Sequence, residues 1–276
     1  MKRYIIAILA MAVLASCEET VQLDLKETEP VVIIDGLVSD QFKNQYVKVS
    51  RSVDFYAEGT SKAITNATVS VTDGTTTYNY IHNPTPDPEN DGLYFSEVRF
   101  AGEVGKTYEL TVQVDGATYT AEDSLYPVTA IDSLTFIIND DEFEEPEREG
   151  YYYEMLFYAH EPQETEDFYL FKFYRNDTLV LDSPTDIYFS NDDLLAEEIN
   201  GIPTASFYKM GDTGTVEMYS ISNAGFIYYN DLINLLQSDG GMFGSPPVNP
   251  RTNVKGGALG FFQASSVVSE TIKVEE

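Results

Sequence analysis

A two-residue alternation that restarts after nearly every turn constrains this chain most. Residues 67–71 (ATVSV) alternate, meet Asp73-Gly74, and residues 75–81 (TTTYNYI) resume beyond it. Side chains point to opposite faces only in a strand, so each run can bury one face. An Asp-Gly turn between two such runs predicts a hairpin. The pattern repeats at residues 105–112 (GKTYELTV) and 117–120 (ATYT), around Asp115-Gly116. Residues 46–50 (YVKVS) and 92–95 (GLYF) add strands, and the β-branched run at 31–34 is expected to end at Asp35-Gly36. Short strands with turns at this spacing predict a β-sandwich over residues 30–126.

Residues 125–134 read as a linker into a second β-rich unit over 127–276. Its strand candidates are 151–159 (YYYEMLFYA), 168–174 (FYLFKFY), 178–181, 207–210 and 214–221. One segment departs from the period of two. Ser222-Asn223 can cap a helix running to about Gln237, and Phe226, Tyr229, Leu232, Ile233 and Leu236 form one apolar stripe. Gly240-Gly241 would end it. The reading is therefore mainly β, two sandwich-like units with one amphipathic helix at about 223–237. A final strand is expected to begin within 253–265, with Phe261 and Phe262 in the core.

The amino terminus reads differently. Lys2 and Arg3 precede residues 4–14, an apolar run of eleven, too short for the roughly 20 residues that span a bilayer. Basic flank, short apolar core and small residues describe a secretory signal over 1–16. Leu14-Ala15-Ser16-Cys17 also fits the bacterial lipobox, in which the cysteine sulfur takes a diacylglyceryl group. The alternative is a free thiol left in a leader, but Cys17 is the only cysteine and stands where the lipobox needs one. Two or three acyl chains anchor a protein stably, so the expectation is a protein anchored to a membrane, with 17–29 as an acidic tether. With no second cysteine, the fold must be held by packing.

Residues 1–16 hold two basic groups and no acid. Removing them leaves 14 basic against 46 acidic residues, a formal charge of −32. Such a charge repels nucleic acid, whose binding needs a basic footprint.

Catalytic signals are weak. His82 and His160 are the only histidines and share no metal or nucleophile spacing. Asp140-Asp141-Glu142 and Asn191-Asp192-Asp193 offer oxygen ligands for Ca²⁺, but charged loops are more often just solvated. No catalytic residue, metal or cofactor is assigned. With 46 acids, a carboxylate pair is certain somewhere, and its placement in a cleft is invisible here. The aromatic strands are expected in the core rather than as a stacking platform for sugars. Pro246, Pro247 and Pro250 make a rigid segment, the best candidate for contact with a partner.

Residues 66–122, with "NATVSVTDG", "GLYFSE" and "GKTYELTVQVDGATYTAE", resemble the prealbumin-like, carboxypeptidase-regulatory-type sandwich. The mature chain as a whole resembles a Bacteroidota outer-membrane lipoprotein family, domain of unknown function 4249, through "VVIIDGLVSD", "AIDSLTF" and "FGSPPVNPRTNVKGGALGFFQASSV". That resemblance implies a TonB-dependent outer-membrane receptor as partner and assigns no catalytic residue. Glu18 and Glu19 then look like the acidic signal that exports such lipoproteins to the cell surface, or an ordinary hydrophilic tether. The expected function is a binding accessory to a TonB-dependent uptake system and not an enzyme. The alternatives are a carboxylate-dependent, glycosidase-like hydrolase and a structural or adhesive surface module.

Overall fold

A computed structural model describes residues 30–53, 61–83, 85, 87–160, 162, 164–181, 183–192, 198–238 and 248–275. The first strands are β1 (Val32–Ser39), β2 (Tyr46–Arg51), β3 (Lys62–Ala63), β4 (Thr68–Thr72), β5 (Thr77–His82), β6 (Leu93–Ser96), β7 (Thr107–Val114) and β8 (Ala117–Ser124). Then come β9 (Ile131–Ile138), helix α1 (Asp140–Glu144), β10 (Tyr153–His160), β11 (Phe168–Arg175), β12 (Thr178–Leu179), β13 (Tyr188–Asn191), β14 (Glu198–Tyr208) and β15 (Thr213–Ser220). Helix α2 (Asn223–Leu236) precedes β16 (Leu259–Ser265) and β17 (Val267–Lys273). The fold is mainly β and sandwich-like.

Both Asp-Gly turns close the hairpins expected of them. Asp73 Oδ1 accepts the N–H groups of Thr75 and Thr76, and Gly74 takes the positive φ that the turn requires. Asp115-Gly116, both at positive φ, joins β7 to β8. Asp35-Gly36 is not a turn. It lies inside β1, paired to Lys48 and Val47 of β2 on one side and to Phe261 and Phe262 of β16 on the other.

That pairing also redraws the domain boundary. The first sheet runs β16-β1-β2-β6-β5-β4-β7-β8, with β3 beside β2. Its parallel edge strand β16 comes from the carboxy-terminal end of the chain, so 30–126 does not hold the whole sheet. The carboxy-terminal unit serves as the crossover that a parallel pair needs. The sheet nearly closes on itself. Thr120 of β8 and Lys255 exchange backbone hydrogen bonds, and Tyr126 bridges Ser265. Its interior is filled by Ile34, Val47, Val49, Leu110, Val112 and Phe262 among others, all essentially without solvent contact.

The second unit is a sandwich of β14-β10-β9 against β12-β11-β15-β17, with β13 also on β11. Met155, Phe157, Phe171, Phe173, Val216 and Met218 fill the space between. Residues 131–134, expected as linker, begin β9, and α1 is an additional short helix capped by Asn139. The opposite face of the second sheet leans on the first unit. There Leu37, Leu170, Tyr219, Ile221 and Val267 form a third cluster, joined by Tyr46, Phe226 and Tyr229.

Helix α2 starts as expected, with Ser222 Oγ accepting the Gly225 N–H. Its apolar stripe is only half used. Phe226 and Tyr229 pack into the third cluster, whereas Leu236 is 41% exposed. The helix is seated by its first turns and, in its third, by the Arg251 guanidinium on Asp231.

Candidate binding cleft

Alternation sets the outer face of the first sheet. On β1, Ile34 points inward, so Asp35 points out; on β2, Val47 and Val49 point inward, so Tyr46 and Lys48 point out. Register places Asp35 opposite Lys48 and Leu37 opposite Tyr46. On β16, Phe262 and Ala264 point inward, leaving Phe261 and Gln263 on the outer face.

The second unit supplies the facing wall by the same rule. Phe171, Phe173, Val216 and Met218 belong to the sandwich interior, so Lys172, Tyr174, Glu217 and Tyr219 face the other way. Lys172 and Glu217 are direct cross-strand partners. Helix α2 adds Tyr228 and Tyr229: the Tyr228 ring stacks on Phe261 at 5.1 Å, and Tyr229 Oη donates to Gln263 Oε1 at 2.8 Å.

These groups share one electrostatic environment. Surrounding protein withdraws water from Asp35 and pushes its carboxyl up, while Lys172 and Lys48 pull it back. Asp35 nevertheless stays exposed to solvent. A side chain that is walled by protein and still wetted lies in a cleft. Desolvation lowers the Lys172 ammonium, with Glu217 and Asp35 opposing. Burial pushes the Tyr228 hydroxyl up to about 12, and Asp35 adds to that; Tyr46 and Tyr229 are raised by the same two causes in the same order.

Glu217 is fixed. Tyr174 Oη donates to its Oε2 at 2.9 Å and Tyr219 Oη to the same oxygen at 2.6 Å. The Lys172 ammonium lies 4.6 Å from the centre of the Tyr219 ring. Asp35, Lys48 and the hydroxyls of Tyr46 and Tyr228 have no protein hydrogen-bond partner among the described residues, and Lys172 has only the ring contact. Polar groups that converge on one site and are not spent on protein partners are available to a ligand.

The residues singled out from sequence lie elsewhere. Cys17, Glu18, Glu19, Pro246 and Pro247 are outside the described residues. Pro250 is half-buried and precedes Arg251, whose guanidinium grips Asp231 of α2 through two hydrogen bonds of 2.6 and 2.8 Å. His82 Nε2 accepts the Gly92 N–H at 3.0 Å, a structural role. His160 is exposed at the end of β10. Asp140, Asp141 and Glu142 form the first turn of α1, where acids suit the helix dipole. Asp192 accepts the Asp167 N–H, and Asp193 is outside the described residues. Among the described residues, no group of three or more His, Cys, Asp or Glu is placed to hold a metal ion. An open groove of 670 Å³ lined by Phe42, Lys43, Ile81, Phe95 and Arg99 lies on the first sheet, but it is broad and shallow.

The cleft residues were missed for a clear reason. Asp35 is read as a turn residue in sequence, and the tyrosines as core. Nothing local says that β1, β11, β15 and α2 meet.

The domain of unknown function DUF4249 matches residues 18–271. The chain belongs to the DUF4249 family. The comparison with curated proteins finds no match. The DUF4249 match runs through both units and includes β16, so the strand that completes the first sheet is part of the shared unit. It also contains every cleft residue described above. No described helix of this DUF4249 protein is long and apolar enough to cross a membrane.

Proposed function

We propose that this protein is a lipid-anchored binding protein of the outer membrane, held through Cys17 and exposed at the cell surface through Glu18 and Glu19. Its partner is a TonB-dependent receptor, to which it presents a ligand carried in the cleft. One observation carries the binding reading: Asp35, Lys48, Lys172, Tyr46 and Tyr228 converge on a wetted cleft with hydrogen-bonding capacity not spent on the described residues. The LASC motif, the short apolar leader and the acidic residues after it support the anchor.

A second reading has its own observation. Asp35 and Glu217 share the cleft and both act on Lys172. Burial raises the Asp35 carboxyl while two phenols hold Glu217 Oε2, so the two acids sit in different environments, as the pair in a carboxylate-dependent hydrolase does.

The test uses full-length protein purified in detergent from its own membranes. Metabolic labelling with a fatty-acid analogue should mark wild type but not Cys17→Ala, and a TonB-dependent receptor should co-purify. Incubation with glycans, esters and peptides should give no product. Turnover abolished by Asp35→Asn or Glu217→Gln, without a co-purifying receptor, replaces binding by hydrolysis.

A further inference from the structure

We infer that the cleft takes a neutral, hydroxyl-rich ligand of the saccharide class, an inference that rests on the cleft being the binding site. The first ground is charge. Asp35 and Glu217 stand among Lys48, Lys172 and the nearby Lys43, so acids and amines are interspersed and neither sign prevails by more than one charge. The whole chain carries −30, a field that drives anionic ligands away.

The second ground is the order of the charges. Lys48 flanks Asp35 on the neighbouring strand, and Lys172 faces it from the second unit. Cations thus lie on both sides of one acid. A ligand ammonium drawn to Asp35 meets two lysines, and a ligand carboxylate or phosphate drawn to either lysine meets Asp35 or Glu217. A hydroxyl donates and accepts at once. A vicinal diol therefore spans an acid and an amine without bringing a like charge to either.

The third ground is the wall. Tyr46, Tyr174 and Tyr228, each half-buried, border the polar centre, and the Tyr228 ring, backed by the buried Phe261, offers a flat apolar face. Sugar rings present an apolar C–H face between hydroxyl edges, and tyrosine supplies area with a polar tip. Both phenols donate to Glu217 Oε2, so among the described residues the Asp35 carboxylate and Glu217 Oε1 are the acceptors left for ligand hydroxyls.

The test is a glycan array with neutral and acidic oligosaccharides, run beside a library of short peptides, on detergent-solubilised full-length protein. Wild type should bind neutral oligosaccharides. Asp35→Asn and Lys172→Met should each bind them about tenfold or more weakly, the loss of one charged hydrogen bond. Tyr228→Phe, which removes only an oxygen, should weaken binding severalfold; unchanged melting temperatures show that the variants fold. No bound neutral glycan, or equal binding by all variants, overturns the inference. Peptides or acidic glycans that bind wild type and lose affinity in the same variants keep the cleft as the site but remove the saccharide class. Neutral glycans that bind regardless of the substitutions remove the cleft itself.

Discussion

Asn253 clasps the backbone of Phe262 from both sides: its Nδ2 donates to the Phe262 carbonyl at 2.7 Å, and its Oδ1 accepts the Phe262 N–H at 3.0 Å. The same Nδ2 also donates to the Glu122 carbonyl of β8 at 3.1 Å. One amide thus joins the two open edges of the first sheet. Asn253→Ala should destabilise the protein by about 2–3 kcal/mol, because three hydrogen bonds are lost near the seam. Urea unfolding checks this. A shift below 0.5 kcal/mol would mean that the seam is held by packing alone.

Gly260 is needed for a different reason. Its φ is +96°, and an added Cβ would stand 2.0 Å from the Ile34 carbonyl oxygen, which is backbone and fixed by β1. Gly260→Ala should therefore cost upwards of about 4 kcal/mol and give little folded protein. Gly74 has a φ of +83° but nothing within 4 Å, so Gly74→Ala should cost only about 1 kcal/mol. Comparing soluble yield and melting temperature of the two variants separates steric clash from backbone strain.

Asp123 makes the seam sensitive to pH. It is 7% exposed; its Oδ2 accepts the Ala264 N–H at 2.9 Å, and the Ser222 hydroxyl that caps α2 bonds to it as well. Burial pushes its carboxyl up to about 6 and outweighs these hydrogen bonds. The sign follows from proton binding. The folded state holds this proton more tightly than the unfolded chain, whose Asp titrates near 3.9, so this group adds stability as pH falls from about 7 to about 4. Wild type should gain about 1–3 kcal/mol over that window relative to Asp123→Asn. Denaturation of both proteins at several pH values measures the difference. A constant difference would show that Asp123 titrates as an ordinary carboxylate.

The surface-export reading has a separate check. Glu18→Ala with Glu19→Ala should leave lipidation intact and reduce digestion by external protease on whole cells. Digestion at the wild-type rate would show that the two acids are only a tether.

Much of the fold is legible because its hairpins are local. The turns at Asp73-Gly74 and Asp115-Gly116 carry their own chemistry, and the Ser222 cap marks the start of α2. The parallel pair of β1 and β16 is not legible, because Ile33 and Leu259 meet across nearly the whole chain and neither run names its partner. The same gap hides the cleft. Asp35 follows four apolar residues and precedes a glycine, which reads as a turn. Only the pairing of Gly36 with Phe262, whose ring lies 3.0 Å from where a Cβ would stand, shows why a glycine belongs inside that strand. The helix stripe misleads in the other direction, since periodicity does not show that Leu236 lacks a surface to cover it.

Tyrosine footprinting tests the cleft most directly. The full-length protein would be nitrated with and without the saturating glycan identified on the array, and each modified tyrosine located by mass spectrometry. Tyr46 and Tyr228 should be protected by ligand, while Tyr126, 46% exposed and outside the cleft, should react equally in both samples. Unchanged nitration of Tyr46 and Tyr228 at saturation, with protection appearing elsewhere, would contradict the placement of the binding site beside Asp35.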